Sequence, residues 1–414
     1  MSRGADGTAD GRGGAALYTL LSVMFINMLG FGVIVPLLPF YGQSFHAPPW
    51  AIALVFSAYS VGAFFGEPFW GRLSDRIGRK PILISTTAAN CACYLALTFA
   101  PNIETAILVR VLGGLFAGNA SVVQGYIADV TPAEHRAGRM AMLGAAFNLG
   151  FIVGPFVGGV LAKPSAGPIG FQIPLLLAAG LSLSCSAGIA LAVPESRARS
   201  VAETHGSSRW KMFRIAFAHP VVGRLMALTF AVGFAFSGIE SVFALWTHHR
   251  FAWEPRDVGL AFGLSGVISS ASQFLLTGPL SRRYGEANML AVGMAGSVVC
   301  NALQPFSDGR GYTVALLALM ALFTSIAFPN AGALMSRAVH EDHQGQVMGL
   351  NNAVAELARI TGPLCMGFAF AGVSVNAPFV IGALITAPAI MLALGAGRAA
   401  HRQETPFVGG QGTR

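Results

Sequence analysis

A chain of 414 residues that is 54% hydrophobic and only 11% charged, with 51 Gly and 30 Phe, has too little polar surface to clothe a water-soluble fold. Its mean hydropathy of +0.62 points to a polytopic membrane protein. The formal net charge of +8 is scattered over short separate loops, which excludes a nucleic-acid-binding face.

Taken in order, the glycine-rich start, 1–16, reads as a disordered cytoplasmic segment. The next apolar run, 15–41, is too long for a signal-peptide core and leads into further spans, so no cleavable signal is expected. Apolar runs between polar breaks predict about 12 membrane helices, at 17–41, 50–71, 81–100, 105–128, 139–162, 171–193, 220–246, 256–278, 287–306, 311–335, 346–371 and 376–397. An even number places both termini on one side. That side carries 20 of the Lys and Arg residues against 4 on the other, and the excess of cations assigns it to the cytoplasm. The long polar break 194–219 is the natural linker between two six-helix bundles, 17–193 and 220–397, and 398–414 is a cytoplasmic tail. The halves repeat. LSDRIGR at Leu73–Arg79 returns as LSRRYGE at Leu280–Glu286, offset by 207, and Gly154-Pro155 returns as Gly362-Pro363, offset by 208. Cys91, Cys93, Cys185, Cys300 and Cys365 all fall in apolar spans, where they read as small packing residues.

Between the second and third helices, GRLSDRIGRKP puts five charges into eleven residues. It reads as a short basic turn in which Gly71 allows close helix approach, Asp75 faces a helix N-terminus and the cations suit a cytoplasmic surface. The stretch resembles the G-x-L-x-D-R-x-G-R-[RK]-x signature of the major facilitator superfamily of transporters, matched at Gly71, Leu73, Asp75, Arg76, Gly78, Arg79 and Lys80. The resemblance implies an all-α integral membrane fold of two pseudo-symmetric six-helix bundles that move by alternating access. It also implies that the acidic residue holds the N-terminus of helix 11 in one state, making the turn a gate latch. The repeat adds a detail of its own: Asp75, Arg79 and Asp129 in the first half correspond to Arg282, Glu286 and Arg337 in the second, with every sign reversed. Two internally neutralised clusters would give this pattern, and so would a plain cytoplasmic excess of cations.

Charges inside spans each require an explanation, because one at mid-bilayer costs about 2.5–3.5 kcal/mol even on lenient scales. Arg110, in LVRVLGG, resembles the helix 4 arginine of proton-driven family members and would keep a nearby carboxyl ionised; an arginine bonded to helix carbonyls is the structural alternative. Glu240, in FSGIESVF, has no cation in the adjacent turns of its helix and is the first choice for proton coupling, unless it lies at the outer water boundary. Glu356 and Arg359, at i and i+3, share a helix face and can neutralise one another or touch substrate. Glu67 is close enough to the cytoplasm to snorkel. Asn27 stands where related antiporters often carry an acid, which puts the usual helix 1 proton site in doubt. On helix 5, GFIVGPFVGG resembles the antiporter motif G-x-x-x-G-P-x-x-G-G at Gly150, Gly154, Pro155, Gly158 and Gly159, a signature tied to exporters; physically, its glycines clear one helix face and its proline bends the rod. Phe31, Tyr59, Phe147, Phe236 and Trp246 are candidates to line a cavity, with core packing as their default role.

His248, His249, His340 and His343 read as solvated loop residues, since no matched cysteines or carboxylates accompany them; no metal site is expected. No phosphate-binding glycine loop and no nucleophile with a partnered base is present, so the chain is not read as an enzyme. The resemblance is greatest to the drug/proton antiporter branch, in particular to tetracycline-resistance-type efflux proteins, and covers helices 1 to 12. It implies export of a small amphipathic compound driven by the proton gradient, with no cofactor. The partners expected are the substrate, protons and the lipid bilayer, no nucleic acid, and the chain as a monomer. An exporter or importer of an endogenous metabolite or siderophore is the rival within transport, and a non-transporting sensor or scaffold the rival outside it.

Overall fold

The computed structural model describes residues 7–196, 219–339 and 341–402. Most of the linker, the end of the tail, His340 and the side chain of His343 lie outside the described residues. Among those described are 12 helices long and apolar enough to cross a membrane. They are α1 (Leu17–Ser44), α2 (Pro49–Ile77), α3 (Arg79–Thr98), α4 (Ile103–Val130), α5 (Glu134–Leu161), α6 (Pro164–Ala192), α7 (Val222–Phe251), α8 (Pro255–Tyr284), α9 (Glu286–Phe306), α10 (Arg310–Arg337), α11 (Gly345–Gly372) and α12 (Ala377–Ala399). The backbone of α1 is helical from Gly7.

Several helices overrun the apolar window that predicts them. The second, expected to stop at 71, continues to Ile77, so the charged stretch after Gly71 is not a turn. It forms the last turns of α2 and the first of α3, and Gly78 alone breaks the helix, at φ +106°. His248 and His249 likewise belong to the last turn of α7 rather than to a loop.

The chain forms two compact units. The first comprises residues up to 203 without 48–57, and includes Glu254–Gly263 of α8; the second comprises the remainder, and includes Pro48–Ser57 of α2. In the first unit α1 packs on α5 and α6, and α3 on α4 and α6; in the second α7 packs on α11 and α12, and α9 on α10 and α12. The second set is the first with every helix number raised by six, as the sequence repeat requires. Leu20, Ile82, Val122, Tyr126 and Ile189 centre one core, and Leu225, Met226, Leu290, Ala393 and Val347 the other.

Glycine lets the backbones touch. A Cβ on Gly158 would lie 2.1 Å from the Val33 carbonyl oxygen of α1, and one on Gly150 2.4 Å from that of Phe25. Gly154 meets Gly32 at 2.7 Å in the same way. In the second unit a Cβ on Gly362 of α11 would sit 2.4 Å from Phe234 O of α7. Several helices depart from regularity, α4 and α8 among them. In α4 the α-helical ladder is interrupted after Leu115 and resumes at Asn119, and the indole Nε1 of Trp70 donates to the Leu115 carbonyl at 2.7 Å. In α8 a wider π turn occupies Gln273–Thr277, just ahead of Pro279, which has no N–H to bond one turn back; the Thr277 hydroxyl donates to Ser325 O of α10 at 3.3 Å.

Overpacking costs about 1–3 kcal/mol where neighbours can yield, and a backbone carbonyl yields least. Gly158→Ala is therefore expected to lower the thermal midpoint of the purified protein. Gly188→Ala on α6, where a Cβ meets nothing within 4 Å, should leave it unchanged or raise it. Unfolding followed by tryptophan fluorescence in micelles compares the two.

Candidate functional site

The charges fall into three groups, one at helix ends and two within spans. At the junction of α2 and α3 the Arg79 guanidinium, 8% exposed, bridges two carboxylates: Nη2 lies 2.8 Å from Asp75 Oδ1 and Nε 3.1 Å from Asp129 Oδ2 at the end of α4. Its Nη1 donates to Ser74 Oγ at 2.6 Å, and that hydroxyl donates to the Gly71 carbonyl at 2.7 Å. Gly125, one turn before Asp129, makes the room, since a Cβ there would come within 2.6 Å of the guanidinium carbon. Three of the residues named from the motif thus meet in one network. Arg76 points to solvent, while the Lys80 ammonium donates to the Ala190 carbonyl in the last turn of α6 at 2.8 Å. Gly71 itself leaves ordinary space, with Ser121 Oγ 3.8 Å from a built Cβ; the close approach of α2 to α4 occurs earlier, at Gly62 and Gly66. Ser74 and Gly125 escape notice in the sequence because they carry no charge to mark them.

The second half repeats the pairing with signs exchanged. Arg337, in the place of Asp129, puts Nη2 2.9 Å from Glu286 Oε1, in the place of Arg79. The echo is partial. Arg337 is 76% exposed, and Arg282, in the place of Asp75, is exposed and joined to no ion pair among the described residues.

Within the spans of the first unit, Arg110 on α4 is 5% exposed. Its guanidinium lies over the Tyr59 ring, 4.5 Å from the centroid, an arrangement worth up to about 2 kcal/mol in a dry site. Among the groups that act on its charge are the Tyr59 and Tyr94 phenols and the Cys93 thiol. With Asn90 they border a cavity of ≈ 10 Å³, room for about one water. Phe31 stacks at a tilt on Tyr59, centroids 5.5 Å apart. Asn27 and Glu67 are half-buried on α1 and α2.

The second unit holds the other buried group. Glu356, 7% exposed, accepts a charge-assisted bond from Arg359 Nη1, so these two do neutralise one another. The cation acting on Glu240 of α7 is this same Arg359. It reaches across the α7–α11 seam, where Gly238 and Gly362 abut and Ser237 Oγ donates to Ala358 O at 3.4 Å. The sequence placed no cation near Glu240 because the partner lies over a hundred positions away. Trp246 is fully buried, ringed by Phe243, Phe251 and Phe379 with Nε1 donating to Asn376 Oδ1 at 2.8 Å; it packs as a core residue. Phe147 and Phe236 are 37% and 40% exposed.

On α5 the glycines of the motif serve two faces. Gly150, Gly154 and Gly158 meet α1, whereas Gly159 meets the first turn of α8, its built Cβ 2.5 Å from the Pro255 carbonyl oxygen. Gly259 on α8 answers with a built Cβ 2.4 Å from Pro155 O.

Removing Arg79 would leave two carboxylates facing each other. Breaking a buried ion pair costs about 3–5 kcal/mol, and partial exposure of Asp75, at 38%, argues for the low end. Removing Arg337 from an exposed pair costs about 0–1 kcal/mol. Thermal unfolding of Arg79→Met should therefore drop well below that of Arg337→Met.

Comparison with known proteins identifies the family. A family model described as Major Facilitator Superfamily matches residues 20–303 and again 225–412. The chain is similar to the tetracycline resistance protein, class C, of Escherichia coli, 28% identical with 84% of this chain and 88% of that protein covered. It is also similar to the quinolone resistance protein NorA of Staphylococcus aureus, 26% identical with 91% and 95% covered. Among solved structures, that of the nucleoside transporter NupG superposes with a TM-score of 0.72 at 14% identity, covering 93% of this chain and 99% of that one. With twelve spans, repeated halves and a family match along nearly its whole length, the chain belongs to the Major Facilitator Superfamily, whose members are transporters and not enzymes.

Proposed function

We propose that this transporter exports small amphipathic organic compounds in exchange for protons, and that Glu240 is the group that takes up and releases the proton. The observation that carries the reading is the three-charge cluster Glu240–Arg359–Glu356 inside the second unit. With both acids ionised the cluster bears one net negative charge; with Glu240 protonated it is neutral. Binding one proton thus removes an unbalanced charge from a membrane interior, where such a charge is expensive. That difference gives the proton leverage over which conformation is favoured. Arg110, beneath its aromatic ring in the first unit, is a fixed cation that can meet the polar end of a substrate.

Export is supported by the full set of motif glycines on α5 and by the resistance proteins among the relatives. The excess of cations in the terminal loops supports cytoplasmic termini. On that orientation the Asp75–Arg79–Asp129 network is a cytoplasmic latch on the first half and Glu286–Arg337 its weaker counterpart. One chain contains both halves, so a monomer suffices.

In everted vesicles, tetracycline-like and quinolone-like compounds are expected to release accumulated protons. Glu240→Gln should remove nearly all of that release, while Asp75→Asn should slow it. Efflux that continues unchanged after the gradient is collapsed would reject antiport. A susceptibility panel in a pump-deficient host, comparing the same variants, identifies the compounds carried.

A further inference from the structure

The segment that leaves α6 is fastened to the latch. After Ala192 the chain runs Val193-Pro194-Glu195-Ser196. Pro194 O accepts from the Tyr126 hydroxyl of α4 at 2.9 Å, and Ser196 Oγ lies 3.5 Å from Asp129 Oδ2. Between them the Glu195 carboxylate spans the start of α3: Oε1 accepts from Arg79 N at 2.8 Å and Oε2 from Lys80 N at 3.1 Å. The residue at the cap position of α3 is Gly78, which has no side chain to offer. The first turn of a helix leaves its N–H groups without partners and carries partial positive charge, so a carboxylate there both bonds and neutralises. Here it comes from 116 residues away.

Gly78 is fitted to this arrangement. Its φ of +106° disfavours any side chain, and a Cβ would approach Glu195 Oε2 to 2.5 Å. The equivalent Gly285, at φ +83°, begins α9 with nothing described within 4 Å of a built Cβ. A glycine start to the third helix of each half is therefore shared, whereas among the described residues the carboxylate cap is seen in the latched half.

We infer that Glu195 is a positioning residue for the latch: by holding the backbone of Arg79 it aims that guanidinium at Asp75 and Asp129, and so ties the beginning of the inter-half linker to the charged network. The inference rests on the reading of that network as a latch, but its test detects the network directly, whatever part the network takes in transport.

Two readouts on the purified full chain decide it. Hydrogen exchange of the peptide containing Arg79 and Lys80 reports the cap, and modification of Asp75 and Asp129 by a carbodiimide with glycinamide reports whether Arg79 still shields them. Glu195→Ala is expected to speed exchange at those amides about fivefold to tenfold, the size of a lost cap, and to raise labelling of both aspartates severalfold. Glu195→Gln, which keeps two polar atoms but only one acceptor, should fall between and guards against simple misfolding. Faster exchange with unchanged aspartate labelling would make Glu195 a local cap and overturn the positioning role. Unchanged exchange would overturn the whole inference. Proton release in vesicles, measured on the same variants, separates a failure of the latch reading from a failure of this one.

Discussion

Hydrocarbon gives a helix no reward for hiding apolar side chains against a neighbour, so the bundles depend on backbone laid directly on backbone. The glycines of α5 and α11 provide it, bringing carbonyl oxygens of α1 and α7 to distances that no side chain would allow. The charged clusters take their places from close approaches of this kind. Glu240 comes under the influence of Arg359 where α7 and α11 are drawn together at Gly238 and Gly362. Arg79 can lie between helices because Gly125 opposes it.

The two halves share a plan and differ in how strongly they use charge. In the first, a nearly buried guanidinium serves two carboxylates and a hydroxyl; in the second, a single exposed pair stands at the corresponding place. The costs of disturbing them differ accordingly, since solvent screens the exposed pair and not the buried one. Inside the spans the asymmetry is reversed. The second unit holds an acid beside a cation and a second acid, and the first holds a fixed cation under a ring.

Much of this was legible without coordinates, because a bilayer imposes lengths and side preferences that composition records directly. Twelve spans, the repeat and the charged motif all emerge from hydropathy and spacing. What escaped were the features that depend on partners remote in sequence. The continuation of α2 to Ile77 was hidden because charged residues were taken to end a span, whereas helix can run on beyond the apolar core. Arg359 beside Glu240, Tyr59 over Arg110 and Glu195 on α3 come from other helices or segments, and no periodicity in one strip of sequence announces them. The sequence leaves Trp246 open for the opposite reason: an aromatic residue in a membrane helix suits a cavity wall and a packed ring cluster equally well.

The π turn in α8 marks one shift in the offset of the internal repeat, since Pro49 answers Pro255 at 206 and Gly78 answers Gly285 at 207. Both α2 and α8 begin at a proline and give way to a glycine of positive φ, yet α2 has 29 residues and α8 has 30. The widened turn at Gln273–Thr277 absorbs that one-residue insertion without breaking the rod. Residues ahead of this turn therefore correspond across the halves at an offset of 206, and those just beyond it at 207. By this register Tyr59 finds its duplicate in Ser265 and not in Gly266. The aromatic lid over the first half's cation thus has a small hydroxyl side chain as its twin, so a residue's part in one half is no guide to its twin's part in the other.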